Sequence, residues 1–293
     1  MEAAYIYKEE VEVATTNEEG IMQLYNEATK DYEIWSKDLN MHFGYYIPFK
    51  TNLFKRDTML NEMNRQLFSR LNIEDKKAHI LDMGCGMGAT MKYGINEYPK
   101  LAVTGCTLSS FQVEFGNKFV NSERGSIINS DYRKTQFEDN KFDGVLGVES
   151  FCHSGCAIET LQEAYRVLKP NSKLVIADAF TKKGVDKMNP LSKKVNKGLC
   201  ECWSLEKLGN ITQIKEDLKA IGFKNIEIKN IWYNVAPSVL HVPFVIAAFV
   251  FKKLLKNEPL KKESMANMKG SFYALLSSLC LQDFGYYIIT AEK

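Results

Sequence analysis

Asp82, Gly84, Gly86 and Gly88 follow directly on an apolar run in "AHILDMGCGMG", residues 78–88. A glycine turn behind a strand lets backbone approach a ligand, because glycine carries no Cβ and takes φ > 0 without strain. Gly84, Gly86 and Ala89 satisfy the relaxed dinucleotide pattern G-x-G-x-x-G/A. Three features oppose that ligand. The turn comes after some 80 residues that include two helical stretches. The next strand, Val103 to Thr107, ends without the Asp or Glu that grips an adenosine ribose diol. Asp82, two residues before the first glycine, would repel a pyrophosphate. A carboxylate there suits a cationic ligand.

The elements that position this turn alternate. "AHILDM" reads as a strand, "GATMKYGINEY" as a helix, "LAVTGCT" as a strand, "SSFQVEFGNKFVNS" as a helix and "GSIINS" as a strand. "FDGVLGVES", "CAIETLQEAYRVL" and "SKLVIADAF" continue as strand, helix and strand. Short β-rich runs separated by helical spacing are parallel βαβ units, and they predict a doubly wound α/β sheet. Helices are expected over 18–36 and 55–72. After Phe180 comes a lysine-rich, turn-rich stretch, then a helix "TQIKEDLKAIGF", a strand "NIEIKNIWYNV", an apolar helical region over 238–280 and a last strand "FGYYIITAEK". With no repeat and no polar linker, the reading is one domain over 1–293. It comprises an N-terminal helical segment (1–72) over the ligand, a binding core (73–180), a substrate cap with one core helix and strand (181–280) and the final strand (281–293).

The acidic residue followed by G-x-G-x-G resembles the first motif of the class I S-adenosylmethionine-dependent methyltransferases, and further matches follow in order. "VTGCTLSSFQ" resembles the second-strand segment of their sterol, tocopherol and cyclopropane-fatty-acid branch, which uses Thr-Leu-Ser and Gln in place of a ribose carboxylate. "NSDYRKTQFEDNKFDGVLGVES" resembles the third and fourth motifs, and "EAYRVLKPNSKLVIAD" the helix, turn and fifth strand, with Asn171 where glycine is usual. The resemblance implies a Rossmann-like seven-stranded sheet, mostly parallel with an antiparallel last strand, carrying a helical N-terminal segment and a helical cap. It implies S-adenosyl-L-methionine as cofactor, with Asp82 on its amino group and Gly84, Gly86 and Gly88 beneath its methionine part. Thr107, Ser109 and Gln112 would serve its ribose and methionine, Asp131 its adenine amino group and Tyr132 the side of the ring, with Val148 as a further cofactor-binding residue.

Catalytic candidates belong at strand C-terminal ends, the ligand side of such sheets. "GVESFCHSG" places Glu149 and His153 there. By resemblance Glu149 stabilises a carbocation and takes its proton; the other reading makes it a hydrogen-bond acceptor that fixes the N-terminal segment. His153 matches a recurrent E-x-x-x-H, or packs at a helix start. "NMHFGYY" resembles the segment that folds over the cofactor, so His42, Tyr45 and Tyr46 are expected to face the active site, with Tyr25 as a further aromatic and Trp35 docked on the sheet edge. Cys152 and Cys156 raise zinc, but C-H-x-x-C is not a structural-site spacing, and no metal is expected.

Composition bounds the remainder. A chain of 293 residues, 45% hydrophobic, buries a full core, and its net charge of +2 from 38 basic and 36 acidic residues carries no footprint for nucleic acid. Seven cysteines, an odd number, make a poor disulfide framework, and the first residues lack a signal-peptide pattern, so a cytoplasmic location is expected. "VLHVPFVIAAFVF", residues 239–251, is short for a span and interrupted by Pro243. It reads as a buried helix or greasy lid, with peripheral membrane contact as the other reading. Met188, Trp203, Trp232, Tyr233, Phe244, Phe249 and Phe251 in the cap describe a lipophilic acceptor site. The lysines at 182, 183, 187, 193, 194 and 197 read as a solvated loop or a diphosphate grip. The sequence is thus identified as a methyltransferase of a lipophilic small molecule, with C-methylation of a terpenoid, prenyl or sterol-like acceptor ahead of O- or N-methylation with a histidine base. A non-catalytic cofactor-binding protein is the alternative of another class. Oligomeric state is left open.

Overall fold

The computed structural model describes Met22 and residues 32–155 and 157–293. Tyr25, Cys156 and most of the helix expected over 18–36 lie outside the described residues; the helical part that falls within them is α1 (Tyr32–Trp35). Seven strands form one sheet: β1 (Ala78–Met83), β2 (Leu101–Thr107), β3 (Gly125–Asn129), β4 (Phe142–Val148), β5 (Leu168–Thr181), β6 (Lys224–Asn230) and β7 (Phe284–Glu292). Their order is β3-β2-β1-β4-β5-β7-β6, with β7 antiparallel to both neighbours and the β1–β5 ladders parallel. The sheet expected from the sequence is the sheet found.

Alternate strand residues point to opposite faces, and here both faces are apolar. Ile80, Val103, Val175, Ala177 and Ile288 pack with Met63, Leu67 and Phe68 of α2 (Arg56–Phe68), with Met91 and Ile95 of α3 (Ala89–Glu97), and with Trp232, Val235 and Val239 of α8 (Trp232–Val239). Their neighbours Leu81, Cys106, Leu174, Ile176 and Ile289 pack against Leu161, Ala164 and Val167 of α5 (Ile158–Val167) and Ile214 and Leu218 of α7 (Ile211–Ile221). A third cluster joins Val195 and Leu199 of α6 (Pro190–Cys202) to Ala274 of α10 (Lys262–Ser277). Caps set the helix starts: Ser109 accepts from Gln112 N to open α4 (Ser110–Val120), and Asn210 accepts from Thr212 N and Gln213 N to open α7.

Three expectations are corrected. The lysine-rich stretch is not all turn, because Asn189 caps Ser192 N and Pro190 sits in the first helical turn, which together start the 13-residue α6. The sixth strand stops at Asn230, whose side chain accepts from Trp232 N, and "WYNV" opens α8. The apolar stretch is longer than its sequence suggested: α8 and α9 (Val242–Leu255) run on as 24 residues, Trp232–Leu255, long and apolar enough by length and composition to cross a membrane, with 28% of the most apolar window buried. α8 ends at Val239 and α9 restarts at Val242 with Pro243 in its first turn, so the interruption expected at this proline falls just before it, at residues 240–241.

Candidate active site

Strand connections diverge between the adjacent strands β1 and β4, and in open α/β sheets ligands bind in the crevice beyond the strand ends at such a point. A cleft of about 1020 Å³ opens there, lined by Asp82, Gly84 and Gly86 from the first turn, Thr107, Ser109 and Gln112 after β2, Asp131 and Tyr132 after β3, and Val148, Glu149 and His153 around the end of β4. Twelve separate sequence candidates, His42 among them, thus share one wall.

Gly84 has φ +87, and a Cβ on it would lie 2.4 Å from Ser150 Cβ, so only glycine fits against the β4 end. Gly86, at φ +53, would meet only Met41 Sδ, at 3.0 Å, and it lines the cleft. Gly88 departs from the sequence reading: it lies outside the cleft lining, and a Cβ on it would fall 2.6 Å from Val120 and 2.9 Å from Ile127. It is packing space between α3, α4 and β3 rather than a ligand contact.

Asp82 is 2% exposed, and burial alone pushes its carboxyl up to about 7. Such a group is costly to ionise until a cation comes beside it. Opposite, Thr107 Oγ1 donates to Gln112 Oε1 at 2.6 Å, which orients that amide toward the cleft. Asp131 is held by a bidentate Arg133, and Tyr132 stacks on Phe151 with its hydroxyl on Ser150 O at 2.7 Å. A carboxylate awaiting an ammonium, a bare glycine turn, a hydroxyl and amide pair and an aromatic end with an acceptor beside it fit S-adenosylmethionine from its amino group to its adenine.

Glu149 stands where three cavities meet. It lines the cofactor cleft, a second cavity of about 690 Å³ lined by Trp35, Phe43, Trp203, Ile246, Phe249 and Met268, and a third of about 750 Å³ lined by Leu199, Trp232, Val235 and Asp178. Its backbone sits at φ +47, a left-handed conformation that costs a non-glycine residue about 1–3 kcal/mol and clusters at functional sites. Oε1 accepts from Phe43 N at 2.7 Å and from the Tyr286 hydroxyl at 2.8 Å, so Glu149 does fasten the N-terminal segment, across 106 residues of chain. Burial pushes its carboxyl up to about 8, opposed by those two hydrogen bonds.

The other catalytic candidates separate. His153 lines the cofactor cleft and the third cavity, and burial holds it down at about 4, as a neutral imidazole. His42 lines the cleft and the second cavity, but its ring nitrogens meet Phe43 O at 2.8 Å and Asn40 Oδ1 at 3.1 Å, which makes it a brace for the segment above the cleft. Tyr46 lines none of the three cavities; its N donates to Asn234 O at 2.7 Å and its O accepts from Asn234 Nδ2 at 2.9 Å, a tie to α8. Tyr45 is buried in the core beside Met63 and Leu67. Trp35 does not dock on the sheet edge but walls the second cavity, its indole donating to His42 O. Phe244 and Phe251 are exposed and outside the cavities. Lys182 bonds Leu281 O and Lys183 pairs with buried Asp283, so neither grips a ligand.

Sequence reasoning missed Met41, which lines all three cavities, and Tyr286 and Asp178. Asp178 accepts from Cys152 N and Ala179 N and is pushed up to about 7 by burial. One available signal was an acid in the fifth strand among apolar neighbours, "VIADAF".

Residues 81–176 match the family described as "Methyltransferase domain". Over 237 residues the chain is 28% identical to 24-methylenesterol C-methyltransferase 3 of Arabidopsis thaliana, an alignment covering 77% of the chain and 64% of that enzyme. It thus spans less than two thirds of the length of this relative. The fold matches a cyclopropane synthase from Mycobacterium tuberculosis at TM-score 0.77 and 15% identity, over 94% of this chain and 98% of that one. It also matches geranyl diphosphate C-methyltransferase from Streptomyces coelicolor A3(2), at TM-score 0.69 and 14% identity, over 94% and 97% of the two chains.

Proposed function

We propose that the chain is a class I S-adenosylmethionine-dependent methyltransferase and that it methylates a carbon of a lipophilic terpenoid or sterol-like acceptor. The observation that carries this reading is a buried carboxyl group, Glu149, shared by the cofactor cleft and two largely apolar cavities. S-adenosylmethionine, when bound, supplies an electrophilic methyl group on a sulfonium. Asp82, Gly86, Thr107, Gln112, Asp131 and Tyr132 would hold it. The cavity walls hold an alkene carbon in line and exclude water, which is most of what a displacement at a methyl group asks of a protein. When the alkene π pair forms the new C–C bond, positive charge is left on the adjacent carbon. Glu149 faces that charge, and Trp35, Phe43 and Trp203 line the same cavity, where an aromatic face turned to a cation is worth about 0.5–2 kcal/mol. A carboxyl raised by burial is also a stronger base once ionised, and it takes the proton that restores the alkene. The names of the relatives support the same acceptor class: a sterol C-methyltransferase by sequence, and a geranyl diphosphate C-methyltransferase by fold.

A second reading rests on His153. Neutral, buried and lining two cavities, it is placed to take a proton from an oxygen or nitrogen acceptor. Single-turnover kinetics on a water-dispersed isoprenoid alkene separate the two. Glu149→Gln keeps an oxygen for Phe43 N and Tyr286, so the fold is retained while the charge goes. The rate should fall about 10²- to 10³-fold, with S-adenosylhomocysteine affinity little changed and His153→Ala milder. The reverse ranking, with a pH–rate break belonging to His153, overturns the carbon reading.

A further inference from the structure

α9 is apolar on both sides. Its inner side, Val242, Val245, Ile246 and Phe249, walls the second cavity. On its outer side Phe244, Phe251 and Leu255 are 76%, 62% and 72% exposed, and at spacings of seven and four they fall within about 40° of one another on the helix. Beside the N-terminal end of α9, His241 Nε2 meets Leu53 O at 2.9 Å, which brings the loop bearing Phe49, Leu53 and Phe54 alongside. Phe49 and Phe54 are almost wholly exposed, and Phe49 holds φ +63, a strained conformation for a bulky residue, in a turn closed by Thr51 Oγ1 on Ile47 N. The tip thus presents an aromatic ring to the outside. An apolar face of this extent marks an interaction site.

The charges around it identify the partner. Exposed Lys50 and Lys55 flank the aromatic tip, and Lys252, Lys253 and Lys256 close the far end of α9 about 20 Å away. Glu258 pairs with Lys253 and Lys256, leaving the excess basic. Apolar side chains framed by lysines match a bilayer whose surface is anionic. The 24-residue stretch Trp232–Leu255 lies on such a surface rather than crossing it, because Trp232, Val235, Val239, Val242 and Phe249 are buried in the protein and Ser238 Oγ accepts from Gly44 N. We propose that the outer face of α9 and the Phe49–Phe54 loop dock on an anionic lipid bilayer, and that the acceptor passes from the bilayer around α9 into the cavity on its inner side. The passage rests on the lipophilic-acceptor reading; the docking does not.

Flotation of the full chain with phosphatidylcholine vesicles, with and without phosphatidylserine, tests it. Phosphatidylserine should strengthen binding by on the order of tenfold, since each lysine at an anionic surface is worth several-fold, and high salt should reverse the gain. A Phe49→Glu, Phe244→Glu, Phe251→Glu variant should float at least about tenfold less, with unchanged S-adenosylhomocysteine affinity and Tm, since these rings line no cavity. Wild-type protein that ignores both vesicles, or a variant that floats equally well, overturns the proposal. So does a wild-type dimer that the variant makes monomeric, which gives the face to a second copy. Loss of docking with turnover of a detergent-dispersed acceptor intact keeps this proposal apart from the functional one: Glu149→Gln should slow turnover without touching flotation.

Discussion

Binding of S-adenosylhomocysteine at pH 7 should release about half a proton, and Asp82 should be its source. In the ligand-free protein burial alone brings Asp82 to about 7, so half the molecules carry the proton at that pH. An ammonium beside the carboxylate draws its pKa far down, so the bound state is ionised throughout. Release should approach one proton at pH 6 and fade by pH 8, while affinity rises about tenfold across that interval, following the ionised fraction. Neither cleft histidine nor Glu149 imitates this: His42 and His153 are held at about 4, and Glu149 responds to a sulfonium that the thioether product lacks. Calorimetry in two buffers of different ionisation enthalpy reads the proton count directly. Asp82→Asn should abolish the release and cost roughly ten- to a hundredfold in affinity, the worth of a hydrogen bond to a charged group. Affinity that is flat between pH 6 and 8, or release that survives in Asp82→Asn, refutes the assignment of the ammonium to Asp82.

Gly86→Val and Gly88→Val should fail differently. Both place a β-branched residue at positive φ and so share a strain cost; beyond it the first meets only Met41 and should lose S-adenosylhomocysteine binding, whereas the second should unfold at a clearly lower temperature than the first, by roughly the 1–3 kcal/mol of overpacking a core. The ligand-free Tm should also decline between pH 6 and 8. Asp82, Glu149 and Asp178 all have folded pKa values raised by burial, so the stability they lend is present below their unfolded values near 4 and is lost as pH rises through about 7 to 8. His42 and His153, lowered, act oppositely and only as pH falls from 6.5 through about 4. A thermal scan showing Tm rising across that interval contradicts the burial of these acids.

The sheet was legible because βαβ units repeat a period that the chain states locally, apolar runs closed by glycine or by a capping Ser or Asn. The cofactor side was legible for the same reason: Asp82, Gly84 and Gly86 sit within five residues and act through one turn. Gly88 misled because glycine serves ligand approach and helix packing alike, and only the positions of Val120 and Ile127 decide between them. The acceptor side was read as a composition, not a geometry. Tyr286 meets Glu149 across 137 residues, and no local pattern encodes such a pairing. α9 was legible only as a choice between burial, lid and membrane contact, because nothing within "VPFVIAAFV" says which of its apolar sides faces the protein.

Leu39, Met41 and His42 line the cofactor cleft, while Met41, His42 and Phe43 line the second cavity, and the strap they form is pinned at Phe43 N to Glu149. The two chambers therefore share one partition made of the chain's own N-terminal segment. Should the partition lift to exchange spent cofactor, the acceptor's wall would open with it. On the proposed function, traffic is therefore expected to queue: cofactor in first, acceptor second, product out ahead of the spent cofactor, an order that product-inhibition patterns would reveal.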